Sequence, residues 1–310
     1  MQKTKFTCFR LAAVIGLLSL FNTTPANSRE TSLTTATMNN TLITPDGGLV
    51  VQHSRDTLET TLKAPAPGSD VNDDHPIGVI ELRNYVMKHG MRDPFIEFFE
   101  KNFIKSQDTL RGYVLGRYRV ADKDDNFCWI RGFENMQVRG TFLPSFYHGA
   151  VWKKNRTAAN GMLANNDNVY LLKPMALQDD SLVPARSVSS QTLSPQKGIT
   201  VVQFYIANSK LAHLLKLFSK NYLDKMKESG FARFSVWTSE MQQNDFPQLP
   251  VFQDKNLLAV ISFFKNEAEY SAALRKLESG LSPDLKADFD DTITIKNTWI
   301  LHPTEKSLVK

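Results

Sequence analysis

Beyond residue 76 the apolar positions fall into short alternating runs and longer stretches at helical spacing, in an order that occurs twice. Ile77 to Val86 alternates. Ile77, Val79, Glu81, Arg83 and Tyr85 share one face, and Ile80, Leu82 and Val86 share the other, which predicts a strand. Gly90 ends it. Asp93-Pro94 predicts a helix start, with Asp93 as cap and Pro94 at the first helical position. Phe95, Phe98, Phe99 and Phe103 then fall on one helical stripe. Tyr113 to Val120 and Phe127 to Phe133 predict two strands joined by the polar turn at 122–126. Helical sequence follows at Glu134 to Thr141 and Ala150 to Leu163, interrupted by Pro144 and Gly149. Asn168 to Leu172 predicts a fourth strand, so the order is βαββαβ.

The second half repeats that order. Ile199 to Tyr205 predicts a strand. Ser209 is placed to cap a helix carrying Leu211, Leu214, Leu215, Phe218 and Tyr222. Phe231 to Thr238 and Leu257 to Phe264 predict strands, Asn266 with Glu269 predicts a capping box, and Gly280 a helix end. Thr292 to Leu301 closes the series. The copies also echo residue by residue. Phe99-Glu100-Lys101-Asn102-Phe103 returns as Phe218-Ser219-Lys220-Asn221-Tyr222, Trp129 to Asn135 as Val260 to Asn266, and Leu171-Leu172-Lys173-Pro174 as Ile300-Leu301-His302-Pro303. An internal repeat decides the architecture before any motif does.

A βαββαβ unit is the ferredoxin-like arrangement, whose sheet has helices on one face only. Two such units cover each other by pairing their open faces. The predicted fold is therefore α+β, with two tandem ferredoxin-like repeats forming an intramolecular, pseudo-dimeric α/β barrel. The expected organisation is a leader at 1–28, a polar lead-in at 29–75, repeat 1 at 76–176, a linker at 177–197 and repeat 2 at 198–310. The lead-in and linker are rich in Thr, Ser, Asn and Pro and have little apolar area to offset ordering entropy. Leu49 to Val51 is a short apolar patch that could dock as an edge strand.

Lys3, Lys5 and Arg10 precede an apolar run from Leu11 to Phe21, and Ala26-Asn27-Ser28 offers a cleavage site. That is the pattern of a secretory signal, so export to the periplasm or exterior is expected, with mitochondrial import as the alternative. The run is shorter than the roughly 20 residues a membrane span needs. The chain has 37 Lys+Arg against 32 Asp+Glu. Three of the basic residues and no acidic ones precede Arg29, so the excess falls from five to two once the leader is removed. No basic stripe with interleaved aromatics appears, which argues against nucleic-acid binding. Cys8 and Cys128 are the two cysteines. The mature chain therefore has no internal disulfide, and no Cys/His cluster has metal-ligand spacing.

Several segments together resemble the NIPSNAP family. They are Glu81-Leu82-Arg83-Asn84-Tyr85, Val114-Leu115-Gly116, Phe127 to Phe133, Phe146-Tyr147-His148-Gly149-Ala150-Val151-Trp152-Lys153, Arg156, and Asp167 to Pro174. The likeness covers Ile77 to Pro174 and touches the second repeat through Leu301-His302-Pro303-Thr304. It implies the dimeric α/β-barrel fold, a fold that also serves cofactor-independent monooxygenases, and it implies no cofactor. The chain departs from the family pattern at His148 (commonly glycine), at Ala150 (commonly proline) and at Asn155 (often histidine).

Glu81, Arg83 and Tyr85 share a strand face, and Trp129 and Arg131 share another two strands along. If those faces line the barrel interior, charge and aromatic surface converge. Trp152 stands one helical turn from Arg156. Glu81, Arg83, Tyr85, Trp129, Arg131 and Trp152 are thus the candidate ligand-binding set, suited to a small apolar or aromatic molecule such as a flat or amphipathic anion. The plain alternative is a buried ion pair of Glu81 with Arg83 or Arg131. Tyr147, His148 and Arg156 are the catalytic candidates, with His148 as a general base. Cys128 reads as a small buried hydrophobe, and His213 and His302 as structural. No nucleophile triad, phosphate loop or dinucleotide fingerprint is present. Three readings stay open: a small-molecule binder, a cofactor-independent monooxygenase or isomerase, and an interaction module pairing through a sheet edge, with further oligomerisation compatible with each.

Overall fold

The computed structural model describes residues 77–175 and 198–308. The expected leader, lead-in, Leu49 to Val51 patch and linker lie outside the described residues. Repeat 1 consists of β1 (Val79–Met87), α1 (Arg92–Asn102), α2 (Ile104–Thr109), β2 (Tyr113–Val120), β3 (Asn126–Phe133), α3 (Met136–Tyr147), α4 (Ala150–Met162), the short β4 (Leu163–Asn165) and β5 (Val169–Pro174). Repeat 2 consists of β6 (Ile199–Ala207), α5 (Leu211–Leu217), a π-helical turn (Phe218–Tyr222), α6 (Leu223–Ser229), β7 (Phe234–Ser239), β8 (Leu257–Phe264), α7 (Glu267–Gly280), α8 (Pro283–Thr292) and β9 (Ile293–Pro303). Both halves follow βαββαβ.

Pairing runs β3-β2-β9-β6-β8-β7-β5-β1, and β1 returns to β3, so these strands close into an antiparallel barrel. β4 attaches outside the ring, to β1. Two seams join the repeats, β2 with β9 and β7 with β5, and they are the same seam with the repeats exchanged. Leu172 opposes Ser239 in one, and Leu301 opposes Val120 in the other. Closure removes the barrel's free sheet edges.

The lumen is apolar and belongs to both repeats. Leu82, Tyr118, Cys128 and Leu172 meet Val202, Trp237, Ala259 and Leu301 there. Tyr170 and Trp299, which hold matching positions in the two repeats, cross the lumen edge to face with ring centroids 5.8 Å apart. Each repeat has a further core between the outer face of its sheet and its own helices. The stripe of Phe95, Phe99 and Phe103 packs there in repeat 1, and Phe218, Tyr222 and Phe289 in repeat 2.

Local differences from expectation have physical reasons. α1 begins at Arg92, and Met91 precedes it with no side-chain cap, so Asp93 is a first-turn acid. Its carboxylate takes Arg119 at 2.8 Å and favours the positive helix terminus. α3 runs through Pro144 to Tyr147, because burying Phe142, Leu143 and Phe146 outweighs one missing backbone donor. α5 starts after Lys210, and Ser209 supplies no cap. α7 keeps Gly280 as its final residue, and Leu281 caps it. The Asn266 cap forms as expected, accepting from the Glu269 amide at 2.9 Å.

Candidate functional site

Five of the six predicted binding residues come together, on the opposite side of the sheet from the one considered in the sequence. Glu81, Arg83 and Tyr85 on β1, and Trp129 and Arg131 on β3, face the helix layer of repeat 1 and not the lumen. The lumen side of the same strands carries Ile80, Leu82, Cys128 and Ile130. Alternation groups side chains by face, but both faces here are buried, so period two leaves open which face looks inward.

β1 and β3 are antiparallel neighbours, with Glu81 opposite Arg131 and Arg83 opposite Trp129. That register brings the charges into contact. Glu81 Oε2 accepts from Arg83 Nη1 at 2.8 Å, from Arg131 Nε at 2.9 Å and from Arg131 Nη2 at 2.5 Å. Its other oxygen, Oε1, accepts from Arg139 Nε at 2.8 Å. Arg139 lies on α3, so the cluster ties the sheet to the helix layer. Arg131 Nη1 also donates to Gln107 Oε1 on α2 at 2.9 Å. Arg83 Nε donates to Tyr85 Oη at 2.7 Å. Glu81 and the arginines at 83, 131 and 139 are all fully buried.

Burial alone would raise the Glu81 pKa. The guanidiniums of Arg131, Arg83 and Arg139 outweigh that and hold it well below the usual carboxylate range. Burial pushes the Tyr85 phenol up, against the pull of Arg83. Aromatic surface surrounds the charges. Arg83 lies over the Tyr85 and Trp129 rings, each 5.4 Å from the centroid, and Arg131 over Trp129 at 5.2 Å and Phe142 at 4.8 Å. Two buried donors, Trp129 Nε1 and Arg139 Nη2, have no partner among the described residues.

Trp152 is half-buried on α4. It packs on Phe103, Phe146 and Tyr147 beside the cluster. Tyr147 is half-buried too, near enough to Arg83 to act on its charge. The other catalytic candidates do not join it. His148 caps the C-terminus of α3 and is exposed, 6.3 Å from the Phe246 ring. Arg156 is exposed on α4 although it follows Trp152 by one turn. The general-base arrangement expected of Tyr147, His148 and Arg156 is therefore not assembled. Cys128 is buried in the lumen and free, and burial alone raises its thiol pKa. Among the described residues no group of His, Cys, Asp or Glu could hold a metal ion, and no helix is long and apolar enough to cross a membrane.

Sequence reasoning missed Arg139, Gln107 and the segment between β7 and β8. Arg139 sits within the stripe Met136, Arg139, Phe142, Leu143 and Phe146, at the spacing of a buried helix face. A charge on such a face was the available signal. The β7–β8 segment belongs to repeat 2 but covers the repeat 1 site. Arg139 Nη1 donates to Asn244 Oδ1 at 3.0 Å and lies 3.6 Å from Asp245 Oδ1. Phe246 stacks on Tyr147 with centroids 5.8 Å apart. Phe252 donates its amide to the Val169 carbonyl at 2.7 Å.

The matching place in repeat 2 carries none of this chemistry. β6 and β8 put Val201 opposite Ser262 and Gln203 opposite Val260. These positions answer to Glu81 opposite Arg131 and Arg83 opposite Trp129. Asn135 and Asn266 cap equivalent helices, and the residues four beyond them are Arg139 and Tyr270. Phe103 answers to Tyr222, so Gln107 answers to Met226. Val201, Met226 and Tyr270 pack in a continuous apolar core.

No family model matches the chain, and no curated protein matches it. Solved structures do. A candidate monooxygenase from Fusobacterium nucleatum is 9% identical, covers 74% of this chain and 93% of its own, and superposes with a TM-score of 0.50. A candidate monooxygenase from Lactobacillus acidophilus is 13% identical over 73% of this chain and 94% of its own, at 0.45. An uncharacterised NIPSNAP-like domain protein from Burkholderia xenovorans is 20% identical and covers 34% of this chain and 89% of its own, at 0.30. The match at 0.50 supports the barrel fold alone, which this chain builds from two repeats in one polypeptide.

Proposed function

We propose that the chain binds a small aromatic molecule between the sheet and the helices of repeat 1, beside Tyr85, Trp129, Tyr147 and Trp152. One observation carries this reading. The fold needs no charge at this place, since repeat 2 fills the equivalent positions with the uncharged Val201, Gln203, Met226, Val260, Ser262 and Tyr270 and buries them fully or nearly so. Repeat 1 places a carboxylate, three guanidiniums and a tryptophan there instead. Burying such groups costs free energy that an apolar core of the same shape avoids. A charge cluster carried by one repeat and absent from its copy supports a ligand site there. Tyr147 and Trp152 pack on each other and are half-buried, the partly exposed aromatic surface a ligand would meet first.

A thermal-shift screen of aromatic ligands on the purified chain tests this. At least one class should raise the melting temperature in proportion to the logarithm of its concentration. A screen at saturating concentrations with no shift from any aromatic ligand would overturn the reading.

We propose also that the chain acts after export, on the strength of the basic start, the apolar run and the small-residue exit at 1–28. Sequencing the mature N-terminus from the native host should find it near Arg29. A mature chain that begins at Met1 would contradict export.

A further inference from the structure

Charge balance says more about the ligand, and this step rests on the binding site just proposed. Among the described residues Glu81 is the sole carboxylate contacting Arg83 and Arg131, and it contacts Arg139 as well. The second carboxylate near the cluster, Asp245, is half exposed and stands 3.6 Å from Arg139. Counting both acids, the cluster keeps one positive charge in surplus. Buried charges are compensated by partners, because an uncompensated one forfeits its hydration with nothing in return. Hydrogen bonding points the same way. Arg139 Nη2 and Trp129 Nε1 are buried donors without a partner among the described residues. Both need an acceptor, and neither can serve as one.

Arg139 is the residue best placed to discriminate. Its Nε is taken by Glu81 and its Nη1 by Asn244, while Nη2 is left over. It also sits where the two repeats meet, under the β7–β8 segment that carries Asn244, Asp245 and Phe246. Repeat 2 has Tyr270 at its position and so has neither the surplus charge nor the spare donor.

We infer that the ligand is a singly charged aromatic acid, whose carboxylate compensates the cluster at Arg139 and whose rings lie along Tyr85, Trp129 and Tyr147. One surplus charge selects a monoanion over a phosphate dianion. The aromatic lining favours a flat body over an acyl chain.

Titration of the full chain with naphthoate and with its neutral analogue naphthalenemethanol, read by calorimetry, tests this. Naphthoate should bind about tenfold tighter or more, the value of one charge-assisted hydrogen bond gained in a desolvated site. In Arg139→Gln the preference should fall to near unity while naphthalenemethanol binding is retained. Equal binding of both ligands to the unaltered chain would overturn the acid and leave the binding site standing. Binding of neither would overturn the site itself. A preference that survives in Arg139→Gln would remove Arg139 from the role. If Arg139→Gln does not fold, the comparison of the two ligands on the unaltered chain still decides.

Discussion

Glu81 Oε1 and Arg139 Nε meet at 2.8 Å across 58 residues of sequence, one on a strand and the other on the helix packed over it. The same carboxylate holds Arg83 and Arg131 through its other oxygen. It is the hub of a buried cluster. Glu81→Gln keeps the shape and removes the charge, leaving the buried guanidiniums of Arg83 and Arg131 without their counter-ion and Arg139 with only the half-exposed Asp245. Breaking one side of a buried pair costs on the order of 3–5 kcal/mol. Chemical denaturation should show a loss of that size, and a loss under about 1 kcal/mol would mean that water reaches the cluster.

The pH dependence of that loss has a defined sign. Folding holds the Glu81 carboxyl below its ordinary 4.5 because the arginines outweigh its desolvation. Its contribution is complete above that value, where both the folded and unfolded states are ionised. As pH falls below about 4.5 the unfolded chain takes up a proton that the folded chain refuses, and the contribution drains away toward the folded-state value. The stability gap between the unaltered chain and Glu81→Gln should therefore be widest near neutrality and narrow on acidification. A gap that widens below pH 4 would contradict the sign.

Val201→Glu places a carboxylate at the repeat 2 position that answers to Glu81. There it meets Ser262 and Tyr270 instead of arginines. The charge has no partner, so its pKa should rise and the fold should lose several kcal/mol at neutral pH. The loss should shrink as pH falls and the group is protonated, opposite to the behaviour at Glu81. Paired denaturation curves at neutral and acid pH would show it.

Phe246 carries repeat 2 onto the repeat 1 site by stacking on Tyr147. Phe246→Ala should cost roughly 3 kcal/mol for a buried aromatic. It should also expose Tyr147 and the flank of Arg139, and speed exchange of the α3 amides without altering those of β6 or β9. Uniform acceleration of exchange across both repeats would place the effect elsewhere.

The architecture was legible because both copies kept their patterns. The spacing of Phe99 and Phe103 recurs in Phe218 and Tyr222, and Asn135 and Asn266 cap matching helices. Those positions depend on local chemistry, which sequence records directly. The site was legible in part. Glu81, Arg83, Tyr85, Trp129 and Arg131 were identified as a group, because alternation and strand order suffice for that. The side on which they lie was not, because a strand buried on both faces offers no polar face to orient it. Arg139 showed only as a charge within an apolar helical stripe, and Gln107 was hidden in a helix where long-range contact alone tells a buried polar residue from a solvated one. Asn244, Asp245 and Phe246 belong to a loop of the other repeat, and no local signal reports where a loop of that length comes to rest. The exposure of His148 and Arg156 was not legible for a related reason. Neighbourhood in sequence with Tyr147 and Trp152 did not carry them to the same side of their elements.

Native mass spectrometry of the chain purified from its own host is the sharpest test of ligand binding in repeat 1. One small organic molecule per chain is expected, held by the unaltered protein and at lower occupancy when Arg139 is replaced by Gln. One molecule is expected, since among the described residues repeat 1 alone has the cluster and repeat 2 fills the same place with uncharged side chains. A chain at the mass of its mature polypeptide with nothing bound, or two molecules bound alike, would rule out a ligand site confined to repeat 1.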